Sequence, residues 1–174
     1  MPPASMSKLM TVYMVFDRLK KGSLKLDDTF LVSKKAWKKG GSKMFVKVGD
    51  RVSVSDLLRG IIVQSGNDAC IVVAEALGGS EEAFAKIMTQ RAGEIGLTNS
   101  RFVNATGWPH PDHGMSAADL ALLSRVLINK FPELYKIFSE KTFTYHKIKQ
   151  GNRNPLLYRD VGADGLKTGH TRVA

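Results

Sequence analysis

Apolar residues recur every three or four positions in several segments of the chain, which is the spacing typical of amphipathic helices. The first of these segments spans residues 6–21 and stops at Gly22, so Ser5 is expected at the N-terminal end of a helix. The same pattern predicts further helices over residues 56–63, 68–77, 80–94, 116–129 and 132–138. The chain is therefore expected to be largely helical.

Segments with the pattern of β-strands are fewer and shorter. Residues 29–33, 44–54 and 142–146 are rich in β-prone side chains, and residues 166–171 follow an Asp-Gly turn and are also predicted to form a strand. Residues 96–115 have no regular pattern and are expected to form a loop. The 174 residues fit one domain, and no apolar run reaches the roughly 18 residues that a membrane-spanning helix needs.

The charge of the chain favours an anionic partner. Its formal net charge is +10, which suits nucleic acid, acidic lipid or cell-wall polymer. The densest basic segment, residues 34–43, has five lysines around Trp37, a composition found in phosphate-binding and stacking patches. No helix-turn-helix, zinc-finger or RNP pattern accompanies it, so we expect a solvated basic face and no nucleic-acid partner.

Residues that could ligate a metal are few. The single cysteine, Cys70, excludes an internal disulfide framework and a multi-thiolate zinc site, and it is expected to be a small buried helix residue. His110 and His113 resemble half of a metal site, but a proline lies between them and no third ligand is placed nearby. We therefore expect a loop at these histidines, and no metal or cofactor.

Three short motifs carry candidate chemistry. Ser5 and Lys8 lie three positions apart, so a helix would bring the hydroxyl beside the amine. That pair alone means little, because about one Ser-x-x-Lys pair is expected by chance. Ser-Gly-Asn at residues 65–67 and Lys-Thr-Gly at residues 167–169 are rarer, with about 0.04 and 0.08 expected occurrences. The joint expectation of about 0.004 makes the set of three specific.

Penicillin-binding proteins and class A β-lactamases carry these three motifs in this order. The surrounding words resemble the D-alanyl-D-alanine carboxypeptidases in particular: PASMSK at residues 3–8, SGNDA at 65–69, NRN at 152–154 and DGLKTGHT at 164–171. The resemblance runs from about Pro3 to the last residue. It implies an α+β, β-lactamase/transpeptidase-like fold, in which a helical cluster packs on an antiparallel sheet that is only partly present in the chain.

The resemblance also implies catalytic roles. Ser5 would be the nucleophile and Lys8 the base that takes its proton, with burial and the charge of Lys167 keeping the Lys8 amine neutral. Ser65 would relay the proton toward the leaving D-alanine amine, and Asn67 would hydrogen-bond the backbone of the substrate.

The remaining substrate-binding residues implied by the resemblance are Lys167, Thr168, Gly169 and His170. Gly169 would leave room for the substrate to lie along the chain, and the backbone N–H groups of Ser5 and His170 would form the oxyanion hole. The implied ligands are the peptidoglycan stem pentapeptide, which would lose its terminal D-alanine, and β-lactams as covalent inhibitors.

The family normally has strands before the nucleophile and after the Lys-Thr-Gly strand, so we expect residues 1–174 to be a single, truncated catalytic domain. An unpaired strand would be an exposed edge, which predicts poor activity or low stability for these residues alone. The expected location is periplasmic or otherwise extracytoplasmic, with attachment to the outer face of the inner membrane through other segments.

Three alternative functions stay open at this point. A class A β-lactamase shares the motifs, and Glu133 lies in a Pro-Glu-Leu sequence like that of its deacylating glutamate, although Tyr135 stands where an Asn is expected. We read Glu133 as a helix-end residue. A cell-wall D,D-endopeptidase would have the same motifs, and an inactive fragment could bind cell-wall peptide without turnover.

Overall fold

Serine side chains set the start of four helices. In the computed structural model, which describes residues 1–172, each serine hydroxyl accepts a hydrogen bond from the backbone N–H three residues later. The capping residues are Ser33, Ser53, Ser80 and Ser116. The predicted helix starts at Ser80 and Ser116 are therefore confirmed.

The described residues form short strands among longer helices. The helices are α1 (Lys8–Lys20), α2 (Lys34–Lys38), α3 (Val54–Ile62), α4 (Asn67–Gly78), α5 (Glu81–Glu94), α6 (Ala117–Lys130) and α7 (Pro132–Tyr135). The strands are β1 (Thr29–Leu31), β2 (Arg51–Ser53), β3 (Thr142–Tyr145) and β4 (Ile148–Gly151). β1 pairs with β2 and β3 with β4, giving two antiparallel sheets of two strands each.

Helix α1 lies at the centre of the helical cluster. It packs against α3, α4, α5 and α6, and residues 8–17 are all buried. A helix that is buried on every side must be surrounded by other elements, which fixes its position in the core. The 3-10 turn Ala4–Ser7, which carries Ser5, runs directly into α1. Ser5 thus lies in a turn that is continuous with the buried central helix.

The carboxylate of Asp68 holds the segment that follows α2. Its Oδ1 accepts from the backbone N–H of Met44 at 3.0 Å, and its Oδ2 accepts from Phe45 at 3.0 Å and Val46 at 3.3 Å. These amides therefore do not join a strand ladder. The strand predicted over residues 44–54 was wrong for most of its length, since only Arg51–Ser53 forms one.

The strand predicted over residues 166–171 was also wrong. None of the strands within residues 1–172 pairs with this segment, and a strand needs the hydrogen bonds of a neighbour. Just before it, Asn154 Nδ2 donates to the carbonyl of Gly165 at 2.7 Å. The Lys-Thr-Gly motif is therefore an irregular segment in this structure.

Two elements were not predicted. Helix α2 is too short for its periodicity to be recognised, and β4 has a polar sequence without clear alternation. The β3–β4 turn places His146 and Lys147 at φ 46° and 66°, the two positive angles of a type I′ hairpin. The long loop predicted over residues 96–115 is confirmed apart from one bridge between Arg101 and Gly114.

Cys70 is buried in α4, as predicted. Burial raises the pKa of its thiol to about 12. Across residues 1–172, no helix combines the length and the apolar character needed to cross a bilayer.

Candidate active site

The turn that carries Ser5 has an unusual backbone. Ala4 adopts φ 48°, a left-handed conformation that costs a residue with a side chain about 1–2 kcal/mol. Ser65, in the second motif, also has a positive φ of 60°. Such conformations persist where the surroundings enforce them, and they concentrate at functional sites.

Lys8 is fully buried one helical turn after Ser5. Its Nζ lies 2.7 Å from Ser5 Oγ and donates to the carbonyl oxygen of Thr106 at 2.8 Å. Burial, with a smaller contribution from the positive charge of Lys39, lowers the pKa of Lys8 to about 8. A neutral amine here keeps an N–H for Thr106 and turns its lone pair to the Ser5 hydroxyl. The arrangement can therefore activate Ser5 as a nucleophile.

A second lysine–serine pair lies beside the first. Lys167 Nζ donates to Ser65 Oγ at 3.0 Å and to the carbonyl of Thr168 at 2.8 Å. Burial lowers the pKa of Lys167 to about 7, and the charge of Lys8 contributes to this. The charges of Lys8 and Lys167 repel each other, as expected from the sequence, and this repulsion helps to lower the pKa of Lys167. Lys39 was not predicted to contribute, but its charge also lowers the pKa of Lys8.

Asn67 begins α4 and faces the same cleft as Ser5. Its Nδ2 donates to the carbonyl of Gly40 at 2.8 Å, which ties the loop after α2 to the site. A Cβ on Gly41 would lie only 2.6 Å from Asn67 Nδ2, so this loop can approach Asn67 only as glycine.

The cleft has a volume of about 440 Å³ and is open to solvent. Three of the predicted residues, Ser5, Asn67 and His170, line this cleft. The other lining residues are Gly41, Ser42, Thr106, Gly107, Trp108, Pro109, Thr171 and Arg172. Gly169 approaches Ser5 closely, since a Cβ there would lie 3.1 Å from the backbone nitrogens of Ser5 and Met6. The structure therefore assembles all the residues predicted from the three motifs in one region.

The loop that closes the other side of the site was not predicted from the sequence. Asn104 Oδ1 accepts from the backbone N–H groups of Thr106, Gly107 and Trp108 at 3.1, 2.8 and 3.1 Å. This asparagine-centred turn aims the Thr106 carbonyl at Lys8. The sequence does contain a signal for this turn, since an asparagine lies three residues before a glycine. Nothing in the sequence linked the turn to Lys8.

Gly107 packs directly against the turn that carries Ser5. Its φ is 79°, and a Cβ would lie 1.8 Å from the carbonyl oxygen of Ala4. No residue other than glycine fits without displacing the backbone beside the nucleophile.

His113 was considered as a metal ligand, but it has a different part in the structure. Its Nδ1 accepts from the backbone N–H of Val103 at 3.2 Å, which leaves Nε2–H to donate to Ser7 Oγ at 2.7 Å. Burial lowers the pKa of His113 to about 4, and His110 contributes to this. Within residues 1–172, no cluster of three or more His, Cys, Asp or Glu side chains is arranged to hold a metal.

The geometry agrees with the comparison to known protein families. Peptidase family S11, described as D-alanyl-D-alanine carboxypeptidase, matches residues 1–174. The chain belongs to this family. Its α+β fold is that of the penicillin-binding proteins, as the motifs implied.

Individual relatives in the family are similar over almost the whole chain. The D-alanyl-D-alanine carboxypeptidase DacC of Escherichia coli K12 is 46% identical over 179 residues, which cover 99% of this chain and 45% of the relative. The D-alanyl-D-alanine endopeptidase of the same organism is 32% identical, over 99% of this chain and 56% of the relative.

Among solved structures, penicillin binding protein 5 from Haemophilus influenzae superposes with a TM-score of 0.95 at 42% identity. The match covers 100% of this chain and 52% of that one. The chain thus spans about half the length of such relatives.

Glu133, the residue that suggested a β-lactamase, lies in α7 on the surface. Its side chain is 82% exposed and pairs with Lys136 at 2.7 Å. It is a solvated helix residue, as the sequence analysis interpreted it.

Proposed function

We propose that the protein is a serine-type D-alanyl-D-alanine carboxypeptidase that removes the terminal D-alanine from peptidoglycan stem pentapeptides. The observation that carries the proposal is the 2.7 Å contact between Lys8 Nζ and Ser5 Oγ, made by a fully buried amine whose pKa is lowered to about 8. A buried lysine with a lowered pKa and an adjacent serine form a base–nucleophile pair once the amine is deprotonated. Family membership supports the same reaction.

In the acylation step, Ser5 Oγ attacks the carbonyl carbon of the penultimate D-alanine while its proton passes to Lys8 Nζ. The backbone N–H groups of Ser5 and His170 stabilise the oxyanion of the tetrahedral intermediate. The C–N bond then breaks, and the proton held by Lys8 passes through Ser65 to the leaving amine, which returns Lys8 to its neutral form. Free D-alanine departs and the shortened peptide remains as an ester on Ser5.

Deacylation repeats these steps with water as the nucleophile. Lys8 takes a proton from water, the hydroxyl oxygen attacks the ester carbonyl, and the proton returns to Ser5 Oγ as the C–O bond breaks. Asn67 and the segment holding Lys167, Thr168 and Gly169 keep the peptide backbone aligned throughout. A β-lactam would acylate Ser5 in the same way, but its leaving amine stays tethered to the acyl group.

A cell-wall D,D-endopeptidase is the second candidate, because it would use the same residues. The higher identity to a relative named as a carboxypeptidase, 46% against 32%, favours the carboxypeptidase. Since peptidoglycan lies outside the cytoplasmic membrane, we place the reaction in the periplasm or another extracytoplasmic space.

The test is to expose the full-length protein to a fluorescent penicillin and map the labelled peptide. The label is expected on the peptide containing Ser5, and Ser5→Ala should abolish it. Ser124→Ala is the matched control, because Ser124 lies in α6, does not line the cleft and should leave labelling intact. Labelling of any other peptide, or the absence of labelling, would contradict the proposal. D-alanine released from a pentapeptide identifies the carboxypeptidase, whereas cleavage restricted to cross-linked dimers identifies the endopeptidase.

A further inference from the structure

Thr11 is a fully buried polar residue that the catalytic steps described above do not use. It lies in α1 three positions after Lys8, so the two side chains leave the helix on the same face. Thr11 Oγ1 donates to the carbonyl oxygen of Ala105 at 2.8 Å, and Lys8 Nζ donates to the next carbonyl, that of Thr106, also at 2.8 Å. One face of α1 therefore binds two consecutive carbonyl groups of the loop that closes the site.

The hydroxyl of Thr11 is directed at this loop. A threonine inside a helix can return its hydroxyl to the carbonyl four residues earlier, whereas Thr11 donates to a residue 94 positions further along the chain. A second contact, with Met88 Sδ at 3.9 Å, is long and involves a weak acceptor. The single hydroxyl hydrogen is therefore committed to Ala105.

The peptide plane between Ala105 and Thr106 is held at both of its polar groups. Its carbonyl accepts from Thr11, and its N–H, which belongs to Thr106, donates to Asn104 Oδ1 at 3.1 Å. Because the atoms of a peptide unit lie in one plane, these two hydrogen bonds fix its orientation. The following plane contains the Thr106 carbonyl that accepts from Lys8. Its direction depends on the plane before it, since only the φ and ψ of Thr106 separate the two.

Glu81 holds the same part of the loop from the other side. Its buried carboxylate at the start of α5 accepts from the backbone N–H of Ala105 at 3.2 Å. Ala105 and Thr106 are themselves buried. A buried carbonyl that loses its donor is strongly unfavourable, so without the Thr11 hydroxyl this peptide plane would turn toward another donor. That rotation would displace the Thr106 carbonyl from Lys8.

We propose that Thr11 is a positioning residue for the base. It holds the Ala105 carbonyl and thereby keeps the Thr106 carbonyl in the place from which it orients Lys8 Nζ toward Ser5 Oγ. The proposal rests on the proposed carboxypeptidase function, because only a reaction that deprotonates Ser5 requires an oriented Lys8. Thr11 does not line the cleft, so it acts through the loop and not on the substrate.

Thr11→Val tests this role, because valine keeps the branched shape of threonine and removes the hydroxyl. The full-length protein and its variants are mixed with penicillin over a series of pH values, and the rate of acylation of Ser5 is measured. Thr11→Val should lower the maximal rate by about tenfold, since a small misplacement of a catalytic group has an effect of this order or larger. Thr11→Ser keeps the donor and should restore most of the rate.

The pH dependence separates positioning from a general loss of stability. The Thr106 carbonyl accepts from Lys8 Nζ and so favours the charged ammonium. If this carbonyl moves away, the pKa of Lys8 falls, and the pH at which acylation reaches half of its maximal rate shifts downward in Thr11→Val. Loss of stability alone would lower the Tm and leave this midpoint in place.

Thr89→Val is the matched control. Thr89 lies in α5 and binds the same loop at Phe102, donating to its carbonyl at 3.0 Å and accepting from its N–H at 2.9 Å. This variant also removes a threonine hydroxyl that holds the loop backbone, but not at the peptide plane before the Thr106 carbonyl. It should lower the Tm and leave the maximal acylation rate and its midpoint unchanged. If Thr11→Val does not fold, Thr11→Cys takes its place, because a thiol is a weak donor.

The positioning role requires both a lower maximal rate and a lower midpoint in Thr11→Val. It is overturned if either change is absent, or if Thr89→Val shows the same two changes. Labelling of Ser5 by penicillin and release of D-alanine from a pentapeptide are measured on the unaltered protein. If neither occurs, the proposed function itself fails. If both occur and Thr11→Val behaves like the unaltered protein, only the positioning role fails.

Discussion

Lys8 reaches across the site to the backbone of Thr106, whose carbonyl oxygen accepts from Lys8 Nζ at 2.8 Å. This contact commits one N–H of the amine. The neutral amine can then turn its lone pair to Ser5 Oγ, which lies 2.7 Å from Lys8 Nζ. The carbonyl of a distant loop therefore orients the proposed base.

The rate at which penicillin acylates Ser5 should rise with pH through about 8, because only the neutral amine of Lys8 accepts the serine proton and its pKa is lowered to about 8. Stopped-flow or quench measurement of the acylation rate over a pH series checks this. Lys8→Ala should slow acylation by about 100-fold or more. A rate that is flat across this range, or that falls as pH rises, contradicts the assignment of Lys8.

Gly107→Ala should unfold or distort the site. Its Cβ would lie 1.8 Å from the carbonyl oxygen of Ala4, and the positive φ of 79° adds its own cost. Together these two effects should lower the free energy of unfolding by about 3 kcal/mol or more. The measurements are Tm, which should drop strongly, and penicillin labelling, which should be lost.

Gly49→Ala is the matched control for that substitution. Gly49 has a similar φ of 85°, but nothing lies within 4 Å of a Cβ placed there. Only the backbone cost of about 1–2 kcal/mol is expected, and labelling of Ser5 should persist. Equal loss of stability in the two variants would show that the packing of Gly107 against Ala4 is unimportant.

Asp68→Ala should destabilise the fold by about 2–4 kcal/mol, because it leaves the buried amides of Met44 and Val46 without their acceptor. Chemical denaturation measures the loss. Asp56→Ala is the comparison, since that aspartate lies in the first turn of α3 and its removal should cost less than about 1 kcal/mol. Similar losses in both variants would argue against the role of Asp68.

The stability of the protein should fall as pH drops from 6.5 toward 4, in part through His113. Burial lowers its pKa from 6.5 to about 4. Between pH 6.5 and 4 this histidine is therefore protonated in the unfolded chain but neutral in the folded protein. Unfolding is therefore favoured as pH falls through this window, by up to about 3 kcal/mol, and the effect levels off below about 4.

The measurement is Tm as a function of pH for the protein and for His113→Gln, which cannot titrate. The variant should be less stable at pH 7, where it loses the hydrogen bond to Ser7, and should show a shallower decline below pH 6.5. Parallel curves for the two proteins would rule out His113 as the titrating group.

The sequence predicted the features that depend on local pattern. The periodic helices and the serine caps at Ser80 and Ser116 are local, and the three motifs were rare enough to identify the site together. The resemblance had already implied the roles of the motif residues. What the structure added is their spatial arrangement, which consists of two lysine–serine pairs and a cleft shared with Asn67.

Features that depend on distant contacts were not predictable in this way. The Asp68 carboxylate takes the amides of residues 44–46, so a β-prone sequence does not become a strand. Residues 166–171 have strand-like composition but no pairing neighbour in residues 1–172. Thr106 and Lys8 are 98 positions apart, and a backbone carbonyl leaves no trace in the sequence.

Three consecutive residues of the turn organised by Asn104 each have a different function. Thr106 orients Lys8, Gly107 packs against the turn of Ser5, and Trp108 faces the cleft. Substrate preference and nucleophile activation are therefore not independent traits in the proposed enzyme. A mutation that reshapes the turn to admit a new peptide also moves the carbonyl that orients Lys8, so efforts to evolve altered specificity should meet strong epistasis here.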